Sequence, residues 1–384
     1  MTKIAILCDS DPFTKPRPSR MIEMLEGHYD LYVFGKGVAT GKEGIRIFSF
    51  PNSKSAAQRT AQEEEELRNL CRQREFAPLI FTPNRLVLQS RLMAVEGLEI
   101  LIVEDITLLP FAVEYKERYG SCKIVIDLRE FYPLEYENDR GWQESFGLFF
   151  EYLCGTYLPY VDWALSVSEG LIAKYKEVFG LECELFLSLP PLYDLHPQIN
   201  SHLELVYHGL ISPDRESENL LQIASLLNKG IYLNLMVLSN QDWFLQEFKK
   251  EAQKRSNVRI LEPVKLEEII PRTNAFDLGL ITLQNNGFNN TNALPNKFFE
   301  YIQARLGVIS TPLPCVRAMI EEYQIGVVSE DYAPLSVAKM VNALSGERVL
   351  DYKRRAHQVS ATLSLKANQV KILSRIKALL EEGK

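Results

Sequence analysis

At 384 residues the chain exceeds what one hydrophobic core usually serves, so two domains of ordinary size are expected and a small stapled scaffold is excluded. A content of 46% hydrophobic, 24% charged and 10% aromatic residues excludes global disorder. The net charge of -7 excludes a general nucleic-acid coat, which needs a concentrated cationic face, and leaves room for a local anion site. The acidic excess sits in the first half and the second half is close to balance, so an anionic ligand would meet the second half unless the asymmetry is plain surface variation.

Lys3–Cys8 (KIAILC) is an apolar run without alternation that stops at Asp9-Ser10-Asp11-Pro12, the pattern of a parallel-sheet strand buried on both faces. A helix over 20–25, a strand over 30–34 (DLYVF) and another over 44–50 (GIRIFSF) follow. Residues 54–76 are expected to form one charged helix whose run 63–66 (EEEE) faces solvent. Strands 98–103, ending at Glu104-Asp105, and 123–126, ending at Asp127, flank a helix over 109–119. The apolar stretch 146–161 is interrupted by Glu151 and Pro159, too soon for a membrane span, and is expected as a buried or interfacial helix. Strand 164–167 precedes Ser168, which has the character of a helix N-cap.

Pro190, Pro191 and Pro197 then break the pattern and mark a linker at 190–201. A second series follows: strand 203–207, helix 217–227, strand 232–238, helix 242–256, strand 258–261, helix 266–273 and strand 278–281. Two such β-α alternations predict an α/β chain of two Rossmann-like parallel-sheet domains facing across a cleft, at 1–190 and 200–360. A last helix, 361–384, is expected to pack back on the first domain. In open parallel sheets ligands bind beyond the carboxyl ends of the strands, which places the site but does not name the ligand.

The six cysteines stand singly, without C-x-x-C pairs, and the start of the chain lacks an apolar leader, so a reduced cytoplasmic protein is expected. The five histidines show no ligand spacing; each reads as a surface or cap residue, and no metal site is expected. The densest polar constellation is Asn289-Asn290-Thr291-Asn292-Ala293-Leu294-Pro295-Asn296-Lys297-Phe298-Phe299-Glu300-Tyr301. Pro295 suits the first position of a helix, so residues 292–296 would offer free N–H groups to an anion, with Glu300 placed to accept hydrogen bonds from sugar hydroxyls. An ordinary capped helix with a surface Glu is the other reading of the same residues.

The segment 294–328, LPNKFFEYIQARLGVISTPLPCVRAMIEEYQIGVV, closely resembles the donor-binding segment of the family-four glycosyltransferases of the GT-B fold. VYHGLISPDR (206–215) resembles the opening of their second domain, and DLREFYP (127–133) with SVSEG (166–170) resembles two landmarks of their first. The resemblance implies that Glu300 binds the ribose of a nucleotide-sugar donor, that Arg215 pairs with its diphosphate and that Glu262, Pro263 and Val264 line the base. It places Lys297, Asn289, Asn290, Leu294 and Pro295 beside the donor and Arg129 and Asn292 at the reacting centre, where Asp105, at a strand end facing the cleft, is the candidate to touch an acceptor hydroxyl. Arg17, Arg20 and Glu130 fall on the acceptor or phosphate side, although both arginines also read as plain solvated residues, Asp105 as a capping carboxylate, and Arg129 as a partner of Glu130 or Glu135. Asn292 stands where the family has Glu, Arg129 where it has His, and Glu216 where Gly usually follows Arg215.

What the resemblance implies is a metal-independent transferase moving a hexosyl-type unit, with retention, from a nucleoside diphosphate sugar to a hydroxyl of a saccharide, lipid-linked or protein-linked acceptor. No cofactor beyond that co-substrate, no nucleic acid and no transmembrane segment are expected, with peripheral membrane contact left open. A non-catalytic nucleotide- or glycan-binding partner, or a sugar-nucleotide epimerase, is the alternative.

Overall fold

The computed structural model describes residues 1–39, 41–55, 58–120 and 122–382. They form two compact units: Met1–Leu187, Gly287–Asn289 and Asn368–Lys384 make the first, Ser188–Asn286 and Asn290–Ala367 the second.

The first unit is built on β1 (Lys3–Cys8), β2 (Asp30–Lys36), β3 (Arg46–Phe50), β4 (Ile100–Val103), β5 (Lys123–Leu128), β6 (Trp163–Ser166) and β7 (Cys183–Leu185). They pair in the order β3-β2-β1-β4-β5-β6-β7, all parallel. Ile6 of β1 pairs with Val33 on one side and Ile102 on the other, so the direction of winding reverses between β1 and β4. Helices on both faces leave no wet side, which is why KIAILC and ILIV carry no polar alternation.

The charged helix is shorter than the expected 54–76. It spans Ala61–Gln73, because Thr60 accepts a hydrogen bond from the Glu63 N–H while the Glu63 carboxylate accepts one from the Thr60 N–H, and Arg74 ends it in the left-handed region. Ala56 and Ala57, inside that expected helix, lie outside the described residues. The apolar stretch after Gln143 opens with a π-helical turn, Gln143–Gly147, and continues as a helix over Leu148–Tyr157 that buries Phe149, Leu153 and Cys154. Ser168 caps the helix Glu169–Phe179, its hydroxyl accepting from the Leu171 N–H at 3.5 Å. From Asn368 onward the last helix, Leu365–Glu381, belongs to this unit: the Asn368 amide donates to the Leu187 carbonyl at 2.6 Å and that of Gln369 to the Met24 carbonyl at 3.0 Å.

The second unit contains β8 (Leu203–Leu210), β9 (Ile231–Leu238), β10 (Val258–Ile260), β11 (Leu278–Ile281), β12 (Gly307–Ser310) and β13 (Gly326–Val328), in the order β10-β9-β8-β11-β12-β13. All pairs are parallel, and winding reverses between β8 and β11. Arg305 is buried and donates to the carbonyls of Tyr193 at 2.6 Å and Leu195 at 3.1 Å, tying the proline-rich segment to this sheet's helices. Among the described residues no helix is long and apolar enough to cross a membrane, and all six cysteines are unpaired.

Candidate functional site

In the second unit the reversal point lies between β8 and β11, and the chain beyond their carboxyl ends is where an open sheet binds ligands. The helix Asn296–Gln303 is seated there by one close approach. Tyr301 lies flat on β11 because residue 279 is glycine: a Cβ at Gly279 would stand 2.3 Å from the Tyr301 ring. The Tyr301 hydroxyl donates to the Leu280 carbonyl at 3.2 Å. Pro295 occupies the N-cap, one residue before its expected place, and the first-turn N–H groups carry the positive end of the helix dipole.

That seating brings Glu300, Lys297 and the end of β8 together. Glu300 is 4% exposed, which removes the surface-Glu reading. One of its carboxylate oxygens lies 3.5 Å from Nε2 of His208, itself buried. Burial first, and then the charge of Lys297, lowers the His208 pKa from 6.5 to about 3, so the contact joins a neutral imidazole to a carboxylate. The expectation that every histidine is a surface or cap residue therefore fails at His208. Its position inside the apolar strand VYHGL, in a sheet covered on both faces, is the sequence signal for burial.

The Lys297 ammonium sits 3.7 Å from the centroid of the Tyr207 ring and 3.5 Å from where a Cβ of Gly209 would be. Gly209 has φ +112°, a conformation that L side chains rarely adopt. Arg215 ends the short turn Pro213–Arg215 after β8 and is half-buried. Neither cation has a carboxylate within ion-pair distance among the described residues. Asn290 donates to the side chain of Asn286 at 2.8 Å, and Asn286 to the Asp214 carbonyl at 2.9 Å, linking the segment before the helix to the Arg215 turn. Leu294 is buried, and half-buried Asn292 lies just before the helix. Glu262, Pro263 and Val264 follow β10 at the same end of the sheet, two strands over, roughly 10 Å away at ordinary strand spacing. Asn289 is not part of this group. It belongs to the first unit, where its side chain accepts from the Phe131 N–H at 2.7 Å and donates to the Phe131 carbonyl at 3.2 Å.

In the first unit the reversal point lies between β1 and β4. A pocket of about 280 Å³ opens there, lined by Asp9 after β1, by Asp105 and Thr107 after β4, and by Arg129, Glu130, Tyr132 and Glu135 after β5, with Phe150 beside them. Asp105 caps the turn Ile106–Leu108, accepting from the Thr107 N–H at 2.9 Å. Arg129 does not take the expected partners Glu130 or Glu135; it donates to the Glu104 carbonyl at 2.5 Å and lies 3.8 Å from an Asp105 carboxylate oxygen. Burial works against its charge, but Tyr132, Glu104, Asp105 and Asp127 together raise its pKa, so it is a permanent cation.

Arg17 and Arg20 are buried, not solvated. Arg17 forks the Asp127 carboxylate through Nε and Nη2, the latter at 2.7 Å, an internal ion pair, while its buried Nη1 has no hydrogen-bond partner among the described residues. Glu104, at the end of β4, is fully buried, and neither carboxylate oxygen has a hydrogen-bond partner among the described residues. Burial and then the neighbouring Asp127 charge push its pKa up to about 8, so it holds a proton at neutral pH. Among the described residues no cluster of three or more His, Cys, Asp or Glu is placed to hold a metal ion.

No protein-family model matches the chain, and no curated protein matches it. Solved structures do. Sucrose-phosphate synthase from Thermosynechococcus elongatus superposes with a TM-score of 0.77 at 10% identity over 100% of both chains. Anabaena HepE in complex with UDP and glucose gives 0.70 at 11% identity, covering 98% of this chain and 100% of that one. A trehalose-6-phosphate synthase, from a study of glycosyl transfer with retention, gives 0.69 at 12% identity, covering 98% and 99%. Together with the two parallel sheets of seven and six strands, these likenesses establish that the chain has the GT-B fold of two Rossmann-like domains.

Proposed function

We propose that the chain is a glycosyltransferase that moves a sugar from a nucleoside diphosphate sugar to a hydroxyl acceptor with retention at the anomeric carbon. One observation carries the reading: Arg215 and Lys297 stand at the second unit's reversal point, beside a helix start, with no carboxylate to neutralise either among the described residues. Two unmatched cations and a helix N-terminus meet the needs of a diphosphate. Glu300, one turn into the helix, is assigned to the ribose hydroxyls, and Glu262, Pro263 and Val264 to the base. Leu294, Pro295, Asn290 and Asn292 shape the same edge. The neighbours support the donor class, since HepE holds UDP and glucose, and the trehalose-6-phosphate synthase supports retention.

In the proposed reaction the bond from the anomeric carbon to the diphosphate oxygen breaks and a bond to the acceptor oxygen forms. The acceptor proton leaves on the departing diphosphate. Arg215, Lys297 and the helix start stabilise that diphosphate, and Arg129 and Asp105 position the acceptor. Because these groups supply the neutralising charge, transfer should persist in EDTA. We assign residues 1–190 with the terminal helix to the acceptor side and 200–360 to the donor side. The six unpaired thiols fit a reducing compartment such as the cytoplasm.

The test is a panel of UDP-, GDP- and TDP-sugars with mixed saccharide acceptors, scored for nucleoside diphosphate release and, by NMR, for product anomeric configuration. Release of diphosphate with a product of retained configuration is the expected result. Nucleotide binding without transfer from any donor would leave a binding protein instead.

A further inference from the structure

We propose that the first-unit pocket between the ends of β1 and β4 receives an uncharged sugar ring, held by the Tyr132 hydroxyl and the Glu135 carboxyl, and selects against sugars charged with either sign. That this ring is the acceptor rests on the transferase reading, but the binding asserted is a property of this unit alone.

The charged groups of the pocket wall are already matched. Asp9 is paired by Lys36 at 3.2 Å and by Arg85 at 2.7 Å. Asp105 accepts from the Thr107 N–H at 2.9 Å and lies 3.8 Å from Arg129, the guanidinium of the lining, which itself donates to the Glu104 carbonyl. Glu130, exposed to solvent, is not without a partner either. A phosphate or an ammonium entering this space would give up its hydration and meet charges that are paired already, so its desolvation would go uncompensated. A neutral ring carries no such cost.

Two groups on the same wall suit the hydroxyls of such a ring. Tyr132 is 6% exposed, and its hydroxyl has no hydrogen-bond partner among the described residues. A buried hydroxyl left unpaired is unfavourable, and a ligand hydroxyl reaching it removes that cost. Glu135 is half-buried, and burial, then the charges of Glu130 and Asp105, opposed by Arg129, push its carboxyl up to about 8. At neutral pH it is a neutral acid, which donates one hydrogen bond and accepts another without adding charge. Phe150 is stacked against Tyr132, ring centroids 5.7 Å apart, and offers apolar surface to the C–H groups of a ring. The volume of about 280 Å³ lies just under the range of drug-sized sites, about 300–1,000 Å³, and suits a single ring.

Glucose, galactose and mannose, each with its 2-amino and 6-phosphate derivatives, should be titrated against the full chain in saturating UDP, by calorimetry or saturation-transfer NMR. A mildly acidic buffer keeps the amines protonated. At least one neutral hexose should bind, at least tenfold tighter than either of its charged derivatives. Tyr132→Phe should weaken that hexose at least fivefold without lowering the urea midpoint, because the hydroxyl has no hydrogen bond within the described chain to lose. Glu135→Gln, which keeps a neutral donor and acceptor, should stay within twofold of the parent, whereas Glu135→Leu should lose at least fivefold. Preference for a charged derivative, binding of none of the hexoses, unchanged hexose affinity in Tyr132→Phe, or equal losses in Glu135→Gln and Glu135→Leu would overturn the proposal. UDP affinity in the same samples reports the donor reading separately: hexose binding without UDP binding upholds the pocket and removes the transferase, and UDP binding without hexose binding removes the pocket alone.

Discussion

Nε2 of His208, in β8, lies 3.5 Å from a carboxylate oxygen of Glu300, in the helix Asn296–Gln303, and both side chains are buried. The imidazole is neutral there, since burial and the Lys297 charge both oppose protonation. The group that faces this carboxyl oxygen from β8 is therefore an uncharged ring and not a cation.

Glu300→Gln keeps the shape and removes the charge. Hydrogen bonds to a charged group contribute roughly 1.5–3 kcal/mol, so UDP affinity should fall by about tenfold or more in a variant that unfolds at the same denaturant concentration as the parent. Calorimetric titration with UDP checks this, and an unchanged Kd would return Glu300 to a packing role.

His208 also sets a pH dependence. The unfolded chain takes up a proton at this residue as pH falls through 6.5, while the folded chain does not until about 3, so its contribution is intact above 6.5 and is lost progressively below. The loss can reach about 1.4 kcal/mol per pH unit. Urea midpoints for His208→Gln should therefore decline less steeply than those of the parent between pH 6.5 and about pH 5. Parallel declines would mean that the imidazole is not held neutral.

The two sheets were legible because strands buried on both faces lose the polar alternation that would disguise them. KIAILC and LGLI read as buried strands, and the helix Leu109–Tyr119 lies at its expected bounds. Helix starts were harder, since the capping box at Thr60 and Glu63 outweighs the broad charge pattern of 54–76. The grouping of Pro295, Lys297 and Glu300 follows from one helix turn and could be read locally. Its companion His208 could not, because its surroundings include the helix that carries Glu300, 92 positions away, whose Tyr301 ring centroid lies 5.1 Å from that of the imidazole. Asn289 shows the reverse: adjacent in sequence to Asn290, it spends its amide on the Phe131 backbone, a partner 158 positions away. The pocket of Asp9, Asp105 and Tyr132 draws on the ends of three strands, and only strand order brings those ends together.

Gly279→Ala tests how the helix is seated. The added methyl would stand 2.3 Å from the Tyr301 ring, and overpacking of this kind typically costs 1–3 kcal/mol. Stability and UDP affinity should fall together, since a displaced Tyr301 carries Glu300 and Lys297 with it. Gly155→Ala, inside the helix Leu148–Tyr157 where a methyl would meet nothing within 4 Å, should leave UDP affinity unchanged and raise stability slightly, if anything. A destabilised Gly279→Ala protein with full UDP affinity would uncouple the seating from the site.

Glu104 gives a pH dependence of opposite sign. Its folded pKa is raised to about 8 from 4.5, so the folded chain holds a proton that the unfolded chain releases. Its contribution is complete below 4.5 and is lost as pH rises toward 8. Glu104→Gln, which is always neutral, should match the parent near pH 4.5 and exceed it at about pH 8, the gap opening by on the order of 1 kcal/mol per pH unit. Denaturation curves that stay superimposed at both pH values would show that Glu104 ionises normally.

Arg129 separates transfer from binding. It lies in the first unit, held by the Glu104 carbonyl at 2.5 Å, whereas Arg215, Lys297 and Glu300 all lie in the second. If Arg129 acts on the reacting hydroxyl, Arg129→Ala should leave UDP affinity within about twofold and lower kcat by roughly 100-fold, close to 2.7 kcal/mol of barrier. Arg129→Lys keeps the charge without the planar fork and should recover part of that loss. Arg129→His, which restores the residue found in the resembled family, should keep or raise activity relative to the parent. A protein inert with Arg129 but active with His would be a binding protein derived from a transferase. Equal falls in UDP affinity and turnover for Arg129→Ala would instead show that this guanidinium supports the fold, through the neighbouring carboxyl groups of Glu104, Asp105 and Asp127, and takes no direct part in the reaction.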